Sequence, residues 1–315
     1  IHVVSDSVTI SGFTFQNGFG GISLDRSSGD TITNNVITLN SLSGIEHYHS
    51  NNNIIHNNKV TLNSHAGIWL INSTYSAITF NTVSGNSWQG ILLGGSSDNN
   101  EVSNNIVTEN EAGVVLDYAD HNKVSGNVVT SNGERGIFLW HSDYNTISGN
   151  TASSHIWDGI LVASSSHNTV EANIAENNFN GIVLDESSFS KVEGNRVMHN
   201  DFGIEVRSFS ENNEISSNDA TSNNGVGILL ESDLNEVSGN VVTENGLGVV
   251  LERANCNKVM DNVASDNEGV GVVVSQSSYN IISGNTASSN GQGIALIRSS
   301  DNKVANNVVI GNAGD

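Results

Sequence analysis

His65, Trp88, Glu111, Glu134, Trp157, Phe179 and Asp201 follow one another at intervals of 23, 23, 23, 23, 22 and 22 residues. A series this regular puts equivalent positions of a repeating structure into one column. Within it Glu111 and Glu134 are neighbours, flanked by Trp88 and Trp157, with Arg135 and Asp158 one residue further on. A second group, Asp117, Tyr118, Trp140 and His141, recurs at the same spacing, and Trp69 stands between the two columns. Aromatic faces beside carboxylates suit sugar rings, which offer apolar CH faces and hydroxyl edges. Paired carboxylates serve as acid and base in glycoside cleavage, their separation deciding the outcome. Glu111 and Glu134 are therefore the candidate catalytic pair. Trp69, Trp88, Asp117, Tyr118, Arg135, Trp140, His141, Trp157 and Asp158 are the candidate substrate contacts. Alternatively, these acids with Asp117 could hold Ca²⁺ through oxygen ligands; no other cofactor is expected. Glu46, His47 and His49 form a weaker candidate group for Cu or Zn. His47 stands where other repeats have Leu or Val, which favours a core histidine instead.

The elements that position these residues are read from the repeat. A Gly-Ile/Val-x-apolar group recurs thirteen times from Gly21 to Gly293, at spacings of 21 to 24 residues. About fourteen residues after each Gly comes an Asn-x-Val/Ile/Ala unit, as at Asn35, Asn58, Asn81, Asn105, Asn127 and Asn150. Five residues on stands another Asn (Asn40, Asn63, Asn86, Asn110), and His155 is the one break in that series. Each repeat thus holds three short segments with apolar residues at period two, separated by Asn, Ser and Gly. Such segments read as strands joined by turns. No strand of this length buries a core alone, but stacked copies do. The expectation is an all-β, right-handed parallel β-helix of about 13 coils. Each coil has three strands and 21–24 residues, and residues 1–315 form one domain. Buried Asn columns would hydrogen-bond from coil to coil, as amide ladders do. Tight turns would pass through the left-handed region, which Gly and Asn tolerate best.

Composition agrees with the repeat. There are 49 Asn, 45 Ser and 32 Gly, but no Pro, which would delete a ladder donor from any strand it entered. Cys256 alone rules out a disulfide framework. The net charge of −22 argues against nucleic acid. No apolar run is long enough for membrane insertion. Residues 1–20 hold one partial coil and no capping element is visible, so the chain is expected to be a segment of a longer protein.

Units of the form Gly-Ile-x-Leu-x-x-Ser-Ser-x-Asn-x-Val-Ser-Gly-Asn-x-Val-Thr-x-Asn resemble the parallel β-helix repeats of the NosD-like family. The opening Val8-Thr9-Ile10-Ser11-Gly12-Phe13-Thr14 is similar to the usual first coil of that group. The resemblance implies a β-helix in an exported protein, extracellular, surface-associated or periplasmic. Relatives of this kind include proteins of copper-site maturation, surface proteins, and polysaccharide lyases, hydrolases and epimerases. No catalytic motif of those enzymes is matched, so the resemblance transfers no catalytic residue.

Function is sought on outward positions. The second strand carries charges such as Lys191, Glu214, Glu236 and Lys258, which pair across coils on a solvated face. The third carries Thr and Val, good strand residues. The first carries Trp69, Leu92, Val115, Phe138, Leu161 and Val183, then Glu205, Leu229, Val250 and Val273. This apolar stripe is expected to be exposed and to offer a surface for self-association. All four Trp lie between 69 and 157, and no His follows His199. The preferred reading is a surface-associated scaffold binding polysaccharide or surface glycan on the aromatic and acidic strip of coils 3–7. The alternatives are a polysaccharide hydrolase, lyase or epimerase, a purely structural or adhesive rod, and a NosD-like copper-handling protein.

Overall fold

The structure is a computed structural model that describes residues 1–314. Its regular elements, among the described residues, are all strands. Contacts divide the chain into two units, Ile1–Ile156 and the part from Trp157 onward. Within each unit the strands form three parallel sheets, seven strands in each. The thirteen glycine-headed repeats make one coil each, and residues 1–20 add His2–Val3, Thr9–Ser11 and Thr14–Gln16. The result is the expected parallel β-solenoid with three strands per coil. The fourth repeat shows the pattern: Ile91–Gly94 lies in the first sheet, Glu101–Ser103 in the second and Ile106–Thr108 in the third.

Register is strict, since each residue stacks on its equivalent one coil away. Ile68, Ile91, Val114 and Ile137 are successive partners, and so are Trp69, Leu92, Val115 and Phe138. A slip of one residue would turn every apolar side chain outward. The inward positions, such as Ile91, Leu93, Val102 and Val107, are fully buried.

The asparagines form the expected ladders. In the first unit Nδ2 of Asn58, Asn81 and Asn105 donates to Oδ1 of the next Asn at 3.0, 3.0 and 2.9 Å. The same carbonyl also accepts from the backbone N–H of the residue below, at 2.9 Å for each of these pairs. Two further columns, not singled out in the sequence, likewise accept backbone N–H donors from the coil below. Asp30, Asn53, Ser76, Asn100 and Asn122 form one, and Ser27, Ser50, Ser73 and Ser97 the other. Every turn thus has a buried side chain that satisfies backbone groups the strands leave over.

His155 keeps its column intact. Its Nδ1 lies 3.2 Å from the Asn132 backbone N–H, where an amide oxygen would accept. Its Nε2 lies 3.1 Å from the Val129 carbonyl, as the Asn132 amide does from Val107. The neutral Nε2–H tautomer therefore imitates an asparagine.

Two expectations about the turns change. Left-handed backbone falls on the residue before each ladder Asn, as at Asn57, Phe80 and Asn104, and not on the ladder Asn. That site points its side chain to solvent, so Phe, Tyr and Leu occupy it as well as Asn, at about 1 kcal/mol each. The repeat glycines do not need positive φ. A Cβ at Gly113 would collide with the Val129 side chain and the Gly136 carbonyl, so close approach of coils selects glycine there.

His47 lies in the interior beside Leu24 and Leu70, fully buried, with neither ring nitrogen hydrogen-bonded. Desolvation pushes its imidazole down to about 3. Desolvation also lowers His155, against opposing hydrogen bonds to Asn132 and Val129. In the unfolded chain both titrate near 6.5. The unfolded state therefore binds protons first, and stability present above pH 6.5 is lost as pH falls towards 3. His47→Leu should raise the melting temperature and flatten that acid loss, by a few kcal/mol on the order of the linkage effect. Thermal melts between pH 7 and 4 test this; equal acid sensitivity in both proteins would contradict it. Asn105→Ala should cost roughly 1–3 kcal/mol for each backbone group it orphans, read from denaturant unfolding.

Candidate functional site

A groove of about 530 Å³ runs along the outward face of the first sheet in the first unit. Its floor is Leu92 and Val115, the outward residues of Ile91–Gly94 and Val114–Asp117. One wall is the turn before the strands, with Trp88, Gln89, Ala112, Glu134 and Arg135. The opposite wall is the strand ends, with Asp117, Tyr118 and Trp140. Phe138 completes the lining. Strict register builds both walls: Asp117 is the direct partner of Trp140, and Gly94 is the partner of Asp117 on the other side. The Trp69 indole lies beside Gly94, its Nε1 about 3.5 Å from where a Cβ would be.

The turn column stacks through its backbone. Glu111 N–H donates to the Trp88 carbonyl at 3.0 Å, and Glu134 N–H to the Glu111 carbonyl at 2.7 Å. Of the candidate catalytic pair, Glu134 lines the groove, whereas Glu111 is exposed and is not part of its lining. Arg135 lies 3.6 Å from Glu134 and 4.9 Å from the centre of the Phe138 ring, an ion pair combined with a cation–π contact. Opposite, Tyr118 and His141 stack at 4.8 Å, and His141 meets Trp140 edge-on at 4.6 Å. Burial raises the Asp117 carboxyl above its usual value, and the nearby His141 charge partly opposes this.

The structure thus brings together Trp88, Asp117, Tyr118, Glu134, Arg135 and Trp140, with His141 beside them. Trp69 does not line the groove; it supports the wall by packing against Trp88 at 6.0 Å and His65 at 5.1 Å. Trp157 and Asp158 belong to the second unit. There Trp157 is exposed and meets Phe179 edge-on at 6.2 Å. Asp158 is buried and accepts a hydrogen bond from Asn180 Nδ2 at 2.8 Å. Gln89 and Ala112 were not recognised in the sequence. Their position, directly before each repeat glycine, was the available signal.

The expected exposed apolar stripe is not found. Leu92, Val115, Leu161, Val183, Leu229, Val250 and Val273 are all buried. Larger members of the stripe itself and residues just before the repeat glycines pack against them. Trp69, Trp88 and Phe138 cover the stripe in the first unit, and Phe202, Leu247 and Val270 cover it in the second. The apolar face is thus largely packed within the fold, and in the first unit Leu92 and Val115 floor the groove. Glu205 is the charged member of this column. Burial raises its carboxyl above the usual range, while Arg207 Nη2 at 2.8 Å opposes the shift. On the second sheet the expected pairs form, with Lys258 3.3 Å from Glu236 and Lys191 4.0 Å from Glu214.

Glu46, His47 and His49 do not converge. His47 points into the core, while Glu46 faces outward and His49 is exposed. Among the described residues no three His, Cys, Asp or Glu side chains are grouped to hold a metal ion, so neither this site nor a Ca²⁺ site with Asp117 is assembled.

The family model described as "Right handed beta helix region" matches residues 1–152 and 111–242. The chain belongs to the right-handed β-helix family. A second model, described as "Periplasmic copper-binding protein (NosD)", matches residues 229–315. That stretch has Cys256 and Met260 but no histidine, a poor donor set for copper. No curated protein matches the chain. Among solved structures, this β-helix is similar to a double mutant of the periplasmic alginate epimerase AlgG. Identity is 17% over 92% of this chain and 75% of that one, with a TM-score of 0.62. It is similar to the Azotobacter vinelandii mannuronan C-5 epimerase AlgE6 A-module, at 14% identity over 96% and 90%, TM-score 0.59. It is also similar to DFA-IIIase from Arthrobacter chlorophenolicus A6, at 14% identity over 84% and 82%, TM-score 0.60. At these identities the likeness shows the fold.

The electrostatics of the β-helix groove are directly measurable. In a carboxyl NMR titration Asp117 should titrate above its ordinary 3.8, and His141→Ala should move it higher still. A value at or below 3.8 in the unmodified protein would contradict this burial.

Proposed function

We propose that this chain is an exported, surface-associated β-helix scaffold that holds an extended carbohydrate in the groove of its first unit. One observation carries the reading: Trp88, Tyr118 and Trp140 line the same groove as Asp117, Glu134 and Arg135. Ring faces for sugar CH groups and polar groups for hydroxyls are then presented together over an apolar floor. Coils of 21 to 24 residues leave no long insertion to roof the groove, so it stays open and suits docking along a chain. The names of the similar structures, two alginate or mannuronan epimerases among them, support a carbohydrate partner. The word "periplasmic" in the NosD and AlgG descriptions supports export.

A second reading is polysaccharide cleavage or epimerisation. It is favoured by Asp117, whose carboxyl is raised by burial as a general acid requires and which shares the groove with Glu134.

Trp88→Ala and Trp140→Ala should each weaken retention on the bound polysaccharide by roughly 2- to 13-fold, given about 0.5–1.5 kcal/mol per lost ring contact. Affinity electrophoresis measures it, and unaltered binding in both variants would sink the groove. Reducing-sugar release, or absorbance of an unsaturated product, tests the enzyme reading. Activity lost in Asp117→Asn and in Glu134→Gln, with Glu111→Gln as the comparison, would establish it.

A further inference from the structure

We propose that the groove takes an uncharged polysaccharide and turns polyanionic chains away. The inference rests on the carbohydrate reading above and adds to it the charge class of the ligand. Three ionisable side chains of high charge line the groove: Asp117, Glu134 and Arg135. The guanidinium is already engaged, 3.6 Å from Glu134 and 4.9 Å from the Phe138 ring centre. The imidazole of His141 partly offsets the charge of Asp117. Glu111 adds a further exposed carboxylate on the rim, one step along the turn column from Glu134.

Among the described residues, no other Lys or Arg lines the groove. The first unit holds twelve acidic side chains against four basic ones, Arg26, Lys59, Lys123 and Arg135. Arg26 is paired with Asp25 at 3.7 Å. Lys59 opens the strand Lys59–Thr61 of the third sheet, and Lys123 the strand Lys123–Ser125 of the second. Salt screens charges beyond about 8–10 Å, so the charges that decide are those in the groove and on its rim. A polyuronate carries a carboxylate on every ring. Each ring laid on this groove would meet Asp117, Glu134 or Glu111 with the one guanidinium of the lining already engaged, and unrelieved like-charge contacts oppose binding.

The same lining suits hydroxyls. The Asp117 and Glu134 carboxylates accept hydrogen bonds, and sugar hydroxyls donate them. Gln89, in the wall between Trp88 and the floor, has its Oε1 without a hydrogen-bond partner. Rotation of that amide would present another acceptor. An uncharged chain satisfies these acceptors while its ring faces cover Trp88, Tyr118 and Trp140. The alginate and mannuronan epimerases share this fold, but the charge of this groove is of the wrong sign for a chain of that class.

Affinity electrophoresis of the full chain through gels holding cellulose derivatives without charge, mannan or inulin, and in parallel through alginate gels, tests the proposal at low and at physiological salt. The expected result is retardation by at least one uncharged polymer and none by alginate at either salt. In the double variant Asp117→Asn with Glu134→Gln, Arg135 is released, and retardation by alginate should rise at least about tenfold. Retardation of the unmodified chain by alginate, lost in Trp88→Ala and Trp140→Ala, would overturn the charge selection and leave groove binding standing. Retardation by no polymer would overturn the carbohydrate reading and this inference with it. Thermal melts of each variant verify folding, and a variant that fails to fold is replaced by Glu134→Lys, expected to gain alginate retardation in the same way.

Discussion

Coil-to-coil satisfaction of buried hydrogen-bonding groups is the interaction on which everything else in this protein depends. A short strand makes its main-chain bonds only with the coils above and below. At each turn the pairing lapses, leaving N–H and C=O groups facing the interior. The stacked Asn, Asp and Ser side chains take those groups up, and in the Asn ladders each amide oxygen accepts both a side-chain amide and a backbone donor from the coil below. Such a column tolerates no missing member cheaply, because an orphaned buried group costs about 1–3 kcal/mol. That explains why the one non-amide in its column, His155, reproduces both bonds of an asparagine.

A scaffold so constrained inside has freedom only outside, and there it spends its sequence unevenly. In the second unit the turn column before the glycines is apolar at Phe202, Val226, Leu247 and Val270 and closes over the sheet. In the first unit the same column offers Gln89, Ala112 and Arg135, with Trp88 and Glu134 beside them, and a groove remains. The groove thus arises from a local change in one column of an otherwise uniform repeat. The fold is shared with epimerases, whereas the chemistry is set by which side chains fill that column.

Much of the site was legible because register is exact to the residue. Once the period was known, Trp88 and Glu134 could be placed on one rim and Asp117, Tyr118 and Trp140 on the other without coordinates. What escaped was the direction in which side chains lean. Gln89 and Ala112 were missed because neither type announces chemistry. The stripe at Leu92, Val115, Leu229 and Val250 was read as exposed because alternation says only that it points outward. Whether an outward side chain is bare depends on a neighbour across the turn, and period two carries no information about that. The Ser and Asp columns were overlooked for a related reason. Their members vary in type, and only their shared geometry reveals one role.

The sequence by itself determined the solenoid, its period, its register and the amide ladders, because each follows from a pattern repeated thirteen times. A pattern that strict leaves one way to bury the apolar positions. Tertiary structure alone decided which of two adjacent glutamates faces the groove and that Asp158 is buried. It also decided that Trp69 supports a wall and does not line it. Those outcomes rest on side-chain packing between unlike residues at single positions, where no repeat averages the choice and van der Waals fit settles it.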